Sequence, residues 1–301
     1  MNTVTTILTA PTAATRLPLT ANFHFIKSCN FRCTYCYATF LDIEERPNLT
    51  DAQLVDLTRL LARTYTKVTF VGGEPTLYPR LPELLAIAKA EGALTNVVTN
   101  GSRIDPAWLE RMASRIDFLT LSIDSDDATT HRILGRATLG RKPLENRHYG
   151  ALSATARAVG IGVKVNTVVS TVNSRQDLSA LVRALAPARW KILQAAPVAG
   201  QNDTFIRSLV PPRDDFDDYV TRHKVALADT TVRIVPEPID LIRGSYVMVD
   251  PLGRFFDSST GAHRYSAPIL DVGIDIAFAD VAFDAGKFRE RGGDADLASR
   301  S

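Results

Sequence analysis

Six short runs rich in valine, isoleucine, phenylalanine and threonine recur along the first two thirds of the chain, at 22–26, 67–71, 95–99, 118–123, 162–169 and 190–194. Each has the length and composition of a buried strand. Helical stretches lie between them, at 50–64, 81–91, 106–114, 126–134, 149–159 and 175–185. The first helix opens on Thr50 and Asp51, residue types that cap helix N-termini, and puts Leu54, Leu57, Leu60 and Leu61 on one face. Such alternation admits few folds, because successive strands must lie parallel and be joined by right-handed crossovers. No dinucleotide-binding glycine fingerprint is present. An α/β fold in the form of a partial (βα)6 TIM-like barrel is therefore expected, rather than a doubly wound sheet.

After residue 197 the rhythm changes. One further helix is expected at 211–228, and a hairpin from 245–249 and 254–256 around Asp250-Pro251-Leu252-Gly253. The organisation expected is a flexible tail over 1–20, a barrel core over 21–196, and an extension over 197–301 that caps the barrel. Residues 292–301 are small and polar and are expected to be mobile. A chain of 301 residues, 45% hydrophobic and 23% charged, is ordinary for a globular protein and can form one barrel. Its 35 basic and 33 acidic side chains give a net charge of +2, which offers no overall reason to expect nucleic acid or a membrane surface as partner. No apolar stretch is long enough to cross a bilayer, and residues 1–18 lack the charged start and apolar run of a secretory signal. A cytoplasmic monomer is expected.

The chain has three cysteines, all within one eight-residue window after the first strand: Cys29, Cys33 and Cys36, spaced C-x3-C-x2-C. Thiolates are the ligands of iron–sulfur clusters, and three of them leave one iron of a four-iron cluster open to a small ligand. A structural zinc would want four ligands, and the nearest histidine, His24, lies within the preceding strand at poor spacing. Burial as three small hydrophobes is the other plain reading.

With Tyr35 just before its last cysteine, the triad is similar to the signature of the radical S-adenosylmethionine superfamily. Further elements fall where that superfamily has them. Gly72-Gly73-Glu74-Pro75 ends the second strand, Asn100-Gly101 closes the third, Ser122 and Asp124 close the fourth, and Arg136 follows in a loop. All lie at or beyond C-terminal strand ends, where barrel active sites are built. The resemblance implies a [4Fe–4S] cluster on Cys29, Cys33 and Cys36, with S-adenosylmethionine held by Gly72, Gly73, Glu74, Pro75, Asn100, Ser122, Asp124, Arg136 and Tyr35. Glycines at such a turn let the backbone approach a ligand closely.

The likeness narrows over residues 22–293. Asn22-Phe23-His24-Phe25, Arg189-Trp190-Lys191, Gly200-Gln201-Asn202, Arg222-His223-Lys224 and Ile269-Leu270-Asp271-Val272-Gly273 all resemble the viperin family. That resemblance implies conversion of a ribonucleoside triphosphate to its 3′-deoxy-3′,4′-didehydro analogue, an antiviral chain terminator. Loss of the 4′-hydrogen and departure of the 3′-hydroxyl as water would produce it. CTP is the foremost candidate, with UTP and GTP behind it, and an electron donor such as flavodoxin or ferredoxin is implied. Asn22, Lys67, Lys164, Asn166, Arg189 and Lys191 match the family's nucleotide site, and Tyr246 matches a tyrosine near the substrate that is a candidate for the final step.

The residues themselves leave one choice open. Lys164 and Asn166 alternate along the fifth strand, and Arg189 and Lys191 along the sixth, so each pair shares a face. Inward cations would require an anion such as a triphosphate; otherwise Val163, Val165 and Thr167 point inward and the cations face solvent. The animal members' amphipathic N-terminal helix and aromatic C-terminal tail have no counterpart here, and 137–149 and 257–267 differ. A membrane anchor is therefore not expected, and contacts to the base are expected in such loops. A radical enzyme acting on a peptide or another small molecule is an alternative, although no cysteine remains for a second cluster. A non-catalytic nucleotide-binding module is another, and the intact triad and Gly-Gly-Glu-Pro turn stand against it. His131, His148, His263 and the acidic run 214–218 are read as surface features.

Overall fold

The computed structural model describes residues 20–138 and 142–293. All but Thr20 of the expected tail, and residues 294–301 of the expected mobile end, lie outside the described residues. Six strands appear where the periodicity requires them: β1 (Thr20–His24), β2 (Lys67–Val71), β3 (Leu94–Thr99), β4 (Phe118–Ser122), β5 (Gly162–Val169) and β6 (Arg189–Gln194). They pair in sequence order, all parallel. Sequential order places every crossover on the same face of the sheet, and the sheet curls around its other face as an incomplete barrel.

The crossover helices are α1 (Asp51–Thr64), α2 (Leu81–Ala90), α3 (Pro106–Met112), α4 (Ala128–Ile133), α5 (Asn146–Ala158) and α6 (Ser179–Leu185). In α1 the expected cap is a full capping box, with Thr50 accepting from the Gln53 amide and Gln53 reaching back; Leu54, Leu57 and Leu61 are buried. The outward side chains of the strands, among them Phe23, Phe70, Val97, Leu119, Val163, Val165, Trp190 and Ile192, form the main core against this helical layer. Its apolar burial is the principal source of stability.

The last third extends the same sheet at both ends. β7 (Arg233–Glu237) adds to β6 in parallel and forms one edge. β8 (Met248–Val249) pairs with β1 on the other side, followed by β9 (Arg254–Asp257) and β10 (Arg264–Pro268) in antiparallel order. The expected hairpin is the β8–β9 pair, whereas β7 and β10 were not foreseen. The short helix α7 (Ile206–Leu209) leads to α8 (Arg213–Ala226), which covers the outside of β6, where Trp190 meets Tyr219 and His223 edge-on. Among the described residues no helix is long and apolar enough to cross a membrane.

Candidate active site

The inward residues of the strands are polar, which is unusual for a barrel. Parallel pairing sets Asn22 beside Thr69 and Thr69 beside Asn96; it sets Ser122 beside Asn166 and Asn166 beside Lys191; and one step lower it sets Thr120 beside Lys164 and Lys164 beside Arg189. The open choice of register is thereby decided. Val163 and Val165 lie in the outer core, and Thr167 accepts from Trp190 Nε1 at 2.9 Å there. Asn166, Arg189 and Lys191 line an internal cavity of about 300 Å³.

That cavity also takes in Cys29, Cys33, Cys36, Tyr35, Gly72, Gly73, Glu74, Asn100, Ser122, Asp124 and Arg136 at the C-terminal ends of the strands, and Asn22, Lys67 and Tyr246 along its length. Two expected residues are not in its lining. Pro75 starts a buried 3₁₀ turn behind Glu74. Lys164 points inward but lays its ammonium 3.5 Å from the centre of the Phe118 ring, a cation–π contact.

The cysteine loop owes its course to main-chain bonds. Arg32 and Thr34 donate their N–H groups to the carbonyls of Gly135 and Leu134, each at 3.1 Å. Gly73 and Glu74 donate to Ile26 (2.7 Å) and Ser28 (2.9 Å), just before Cys29. The glycines of that turn have a further reason besides the expected approach of a ligand. A Cβ on Gly73 would lie 2.1 Å from the Ser28 carbonyl oxygen, so it is the chain itself that passes too close. Gln201 and Asn202 brace the loop from the far side, Gln201 accepting from the Phe40 N–H (2.7 Å) and Asn202 donating to the Tyr35 carbonyl (3.1 Å).

Three charged groups above the sheet are already engaged. The Glu74 carboxylate accepts from Thr76 and Thr99 hydroxyls at 2.6 Å and from the Asn100 N–H at 2.8 Å, tying β2 to β3; burial nonetheless pushes its pKa up. Asp124 accepts from the Tyr35 hydroxyl and from the Val168 N–H (2.8 Å), and pairs with Arg136 at 3.2 Å. Arg136 also donates to the Ser122 carbonyl and lies 3.8 Å from Cys33 Sγ. Tyr35, Asp124 and Arg136 thus join the cysteine loop to the end of β4.

At the far end, residues that sequence reasoning missed complete the wall. Glu237, fully buried on β7, pairs with Lys191 at 2.6 Å and accepts from the Tyr246 hydroxyl. Arg291 stacks its guanidinium 3.6 Å from the centre of the Tyr246 ring and donates to the Ser245 carbonyl at 2.8 and 3.1 Å. Burial lowers Lys191 to about 7, although Glu237 opposes the shift. One signal was available: a polar residue recurs on one parity of each of the first five strands, at Asn22, Thr69, Asn96, Thr120 and Asn166. His131 and His263, read as surface residues, are not. His131 is buried on the inner side of α4, and His263 lies against the Phe256 ring with centroids 4.9 Å apart. His24 is buried among Tyr37, Phe40 and Phe256, and burial drops its pKa to about 3, so it is neutral.

The three thiols fit an iron–sulfur cluster. They are soft donors on one loop, each partly buried at the cavity's edge, and burial raises Cys36 to about 11 and Cys33 to about 12 while no cluster holds them as thiolates. Among the described residues no three His, Cys, Asp or Glu side chains converge as a single metal ion would need. A cubane places no such demand, since each thiolate takes its own iron.

Residues 23–185 match the model of the radical SAM superfamily. The chain is 40% identical over 286 residues to an S-adenosylmethionine-dependent nucleotide dehydratase of Lacinutrix mariniflava, covering 93% of this chain and 59% of that relative's length. It is 38% identical to the enzyme of that name from Flammeovirga pacifica, covering 90% of this chain and 93% of the relative, and 32% identical to that of Danio rerio, covering 92% and 77%. The fold resembles a solved structure of anSMEcpe with bound AdoMet, at TM-score 0.66 and 15% identity over 91% of this chain and 82% of that one. Triad, turn and inward cations thus occur on one barrel in a chain with these relatives, and the chain belongs to the viperin-type S-adenosylmethionine-dependent nucleotide dehydratases, radical SAM enzymes whose cofactors are a [4Fe–4S] cluster and S-adenosylmethionine.

Proposed function

We propose that this chain dehydrates a ribonucleoside triphosphate, CTP foremost and UTP or GTP otherwise, to its 3′-deoxy-3′,4′-didehydro analogue, a chain terminator. The observation that carries this reading is that the cysteine loop and the cation-bearing strands face one cavity. Cys29, Cys33 and Cys36 would hold three irons, and Glu74, Asn100, Ser122, Asp124, Arg136 and Tyr35, with the Gly72–Pro75 turn, would form the S-adenosylmethionine site. When bound, these cofactors supply one-electron reduction and hydrogen-atom abstraction. The residues of the chain bind and orient the nucleotide. Lys67, Arg189 and, when protonated, Lys191 offer positive charge to a polyanion in a low-dielectric cavity, where it is worth far more than in water. Asn22 and Asn166 present amides at mid-depth, where a ribose would lie above its phosphates. Tyr246, beside Lys191, is the candidate for the last proton or hydrogen transfer.

The reading further assigns residues 21–196 to the barrel core and 197–301 to an extension that closes it. It takes the working form to be a cytoplasmic monomer reduced by a flavodoxin or ferredoxin. The test is a competition assay on anaerobically reconstituted protein offered CTP, UTP, GTP and ATP together. A triphosphate lighter by one water, formed from one of them, is the expected result and identifies the base. 5′-Deoxyadenosine without any dehydrated nucleotide would overturn the assignment.

Affinity for the polyphosphate should also depend on pH. Burial lowers Lys191 to about 7, so with no polyanion beside it its charge is lost as the pH rises through that value. A bound polyanion favours the charged form, so binding at higher pH must take up a proton, and affinity falls by up to about tenfold per pH unit. Calorimetry with inorganic tripolyphosphate across roughly pH 6 to 8 should show this decline. Lys191→Arg, whose charge does not titrate in this range, should abolish it. A decline that is the same in both proteins would remove Lys191 from the phosphate site.

A further inference from the structure

Lys191, Tyr246 and Arg291 reach the cavity from three separate parts of the chain: β6, the segment before β8, and the residue after the helix Ala285–Glu290. All three converge on one carboxylate that does not itself line the cavity. Glu237 Oε1 is 2.6 Å from Lys191 Nζ and 3.7 Å from Arg291 Nη1, and Oε2 accepts the Tyr246 hydroxyl proton. Lys191 Nζ donates to the Tyr246 oxygen at 2.9 Å, which closes a ring of three groups. The Tyr246 hydroxyl is thereby fixed on both sides, its proton towards Glu237 and its oxygen towards Lys191. The Arg291 guanidinium, anchored on the Ser245 carbonyl, packs on the ring.

A carboxylate with no exposure is costly to keep ionised, and it persists where several partners satisfy it. In a site meant for a polyanion, an added negative charge also opposes ligand binding. Its position is accounted for by what it holds. We infer that Glu237 is a positioning residue, the hub that orients Tyr246 and Lys191 towards the substrate from behind the cavity wall. This inference rests on the dehydratase reading for the identity of the substrate, but not for the geometry of the hub. Glu237 gives these cations a counter-charge within the protein itself, so the side chains are held in place before the nucleotide arrives. Binding then requires little rearrangement, and the tyrosine is held at one point of the wall.

The test uses the full chain with 3-fluorotyrosine at position 246, followed by its fluorine resonance with and without inorganic tripolyphosphate. Glu237→Gln is expected to shift and broaden that resonance, and Glu237→Asp, which keeps the charge on a shorter arm, to restore it in part. In turnover, Glu237→Gln is expected to lower dehydrated nucleotide per S-adenosylmethionine consumed on the order of tenfold. Combined with Tyr246→Phe, it should add little to the loss that Tyr246→Phe causes alone. An unchanged resonance, or losses that multiply independently in the double variant, would overturn the inference. Should the Gln variant not fold, the Asp variant carries both measurements. If the parent protein makes no dehydrated nucleotide, the dehydratase reading falls, and the fluorine comparison still decides whether Glu237 holds Tyr246.

Discussion

Replacing Cys33 with alanine is expected to abolish cluster binding and nucleotide dehydration together, while the cluster-free protein stays folded. The loop does not depend on the thiol for its shape. Its neighbours Arg32 and Thr34 are bonded through their N–H groups to the 134–135 segment, and the Cys33 carbonyl accepts from the Cys36 N–H at 3.2 Å. The sulfur is partly buried and meets Arg136 at 3.8 Å, so its loss should change the stability of the cluster-free chain by about 1 kcal/mol or less. Cluster binding has no such reserve. The sequence contains no fourth cysteine to stand in, and two thiolates would have to hold four irons. Iron and acid-labile sulfide after anaerobic reconstitution should fall to background, and turnover with them, while the thermal midpoints of the two cluster-free proteins stay close. Full iron content in the alanine variant would show that the triad is not the cluster site.

Much of this was legible in the sequence because short-range geometry imposes it. Cysteines on one loop and glycines where the chain crosses itself leave a pattern that survives without knowledge of the fold. The six strands were legible for a related reason: their outward faces, such as Val163, Val165, Trp190 and Ile192, must be apolar to meet the helices. The first strand was placed two residues late because Phe25 and Ile26 continue its apolar run. The chain in fact leaves the sheet after His24, where the Ile26 and Ser28 carbonyls turn to accept from Gly73 and Glu74.

What was missed depends on tertiary contacts. β7 carries Pro236, which argues against a strand in a sheet interior. It is tolerated because β7 is the edge, with β6 on one side and no described strand on the other. Missing β7 meant missing Glu237, and with it the fact that part of the inward positive charge is balanced by the protein itself. Arg291 lies 100 residues beyond Lys191 in the sequence, and its place beside the Tyr246 ring is set by the Ser245 carbonyl, a contact no local pattern announces. The expectation that inward cations call for an anion was sound in physics; the structure adds that one such anion is a side chain.

Gly135→Ala should be among the most damaging single substitutions in the chain, although position 135 bears no functional group. The residue has φ +70°, in the left-handed region that a side chain strains, and its carbonyl accepts from the Arg32 N–H. An added Cβ would lie 1.9 Å from the Arg32 carbonyl oxygen and 3.3 Å from the Cys33 Cα. Both obstacles are backbone, so no side chain can swing aside to make room. Either 134–136 or 32–34 must move, and each carries part of the site: Arg136, bonded to Asp124, on one side and Cys33 on the other. Backbone strain together with the loss of the two stitching bonds should cost on the order of 2–4 kcal/mol. The effect on cluster assembly should exceed the effect on stability, because three thiolates must stay in register for one cluster while the barrel beneath is held by its own core. The expected result is a thermal midpoint lowered by roughly 3–6 °C for a chain of this size, with iron content after reconstitution reduced at least about threefold relative to the parent. Gly160→Ala is the matched control: φ there is +82°, yet nothing lies within 4 Å of the added Cβ. It should cost stability through backbone strain and leave iron content unchanged. Equal loss of iron in the two variants would mean that the cysteine loop takes its shape from the fold as a whole rather than from its crossing with residue 135.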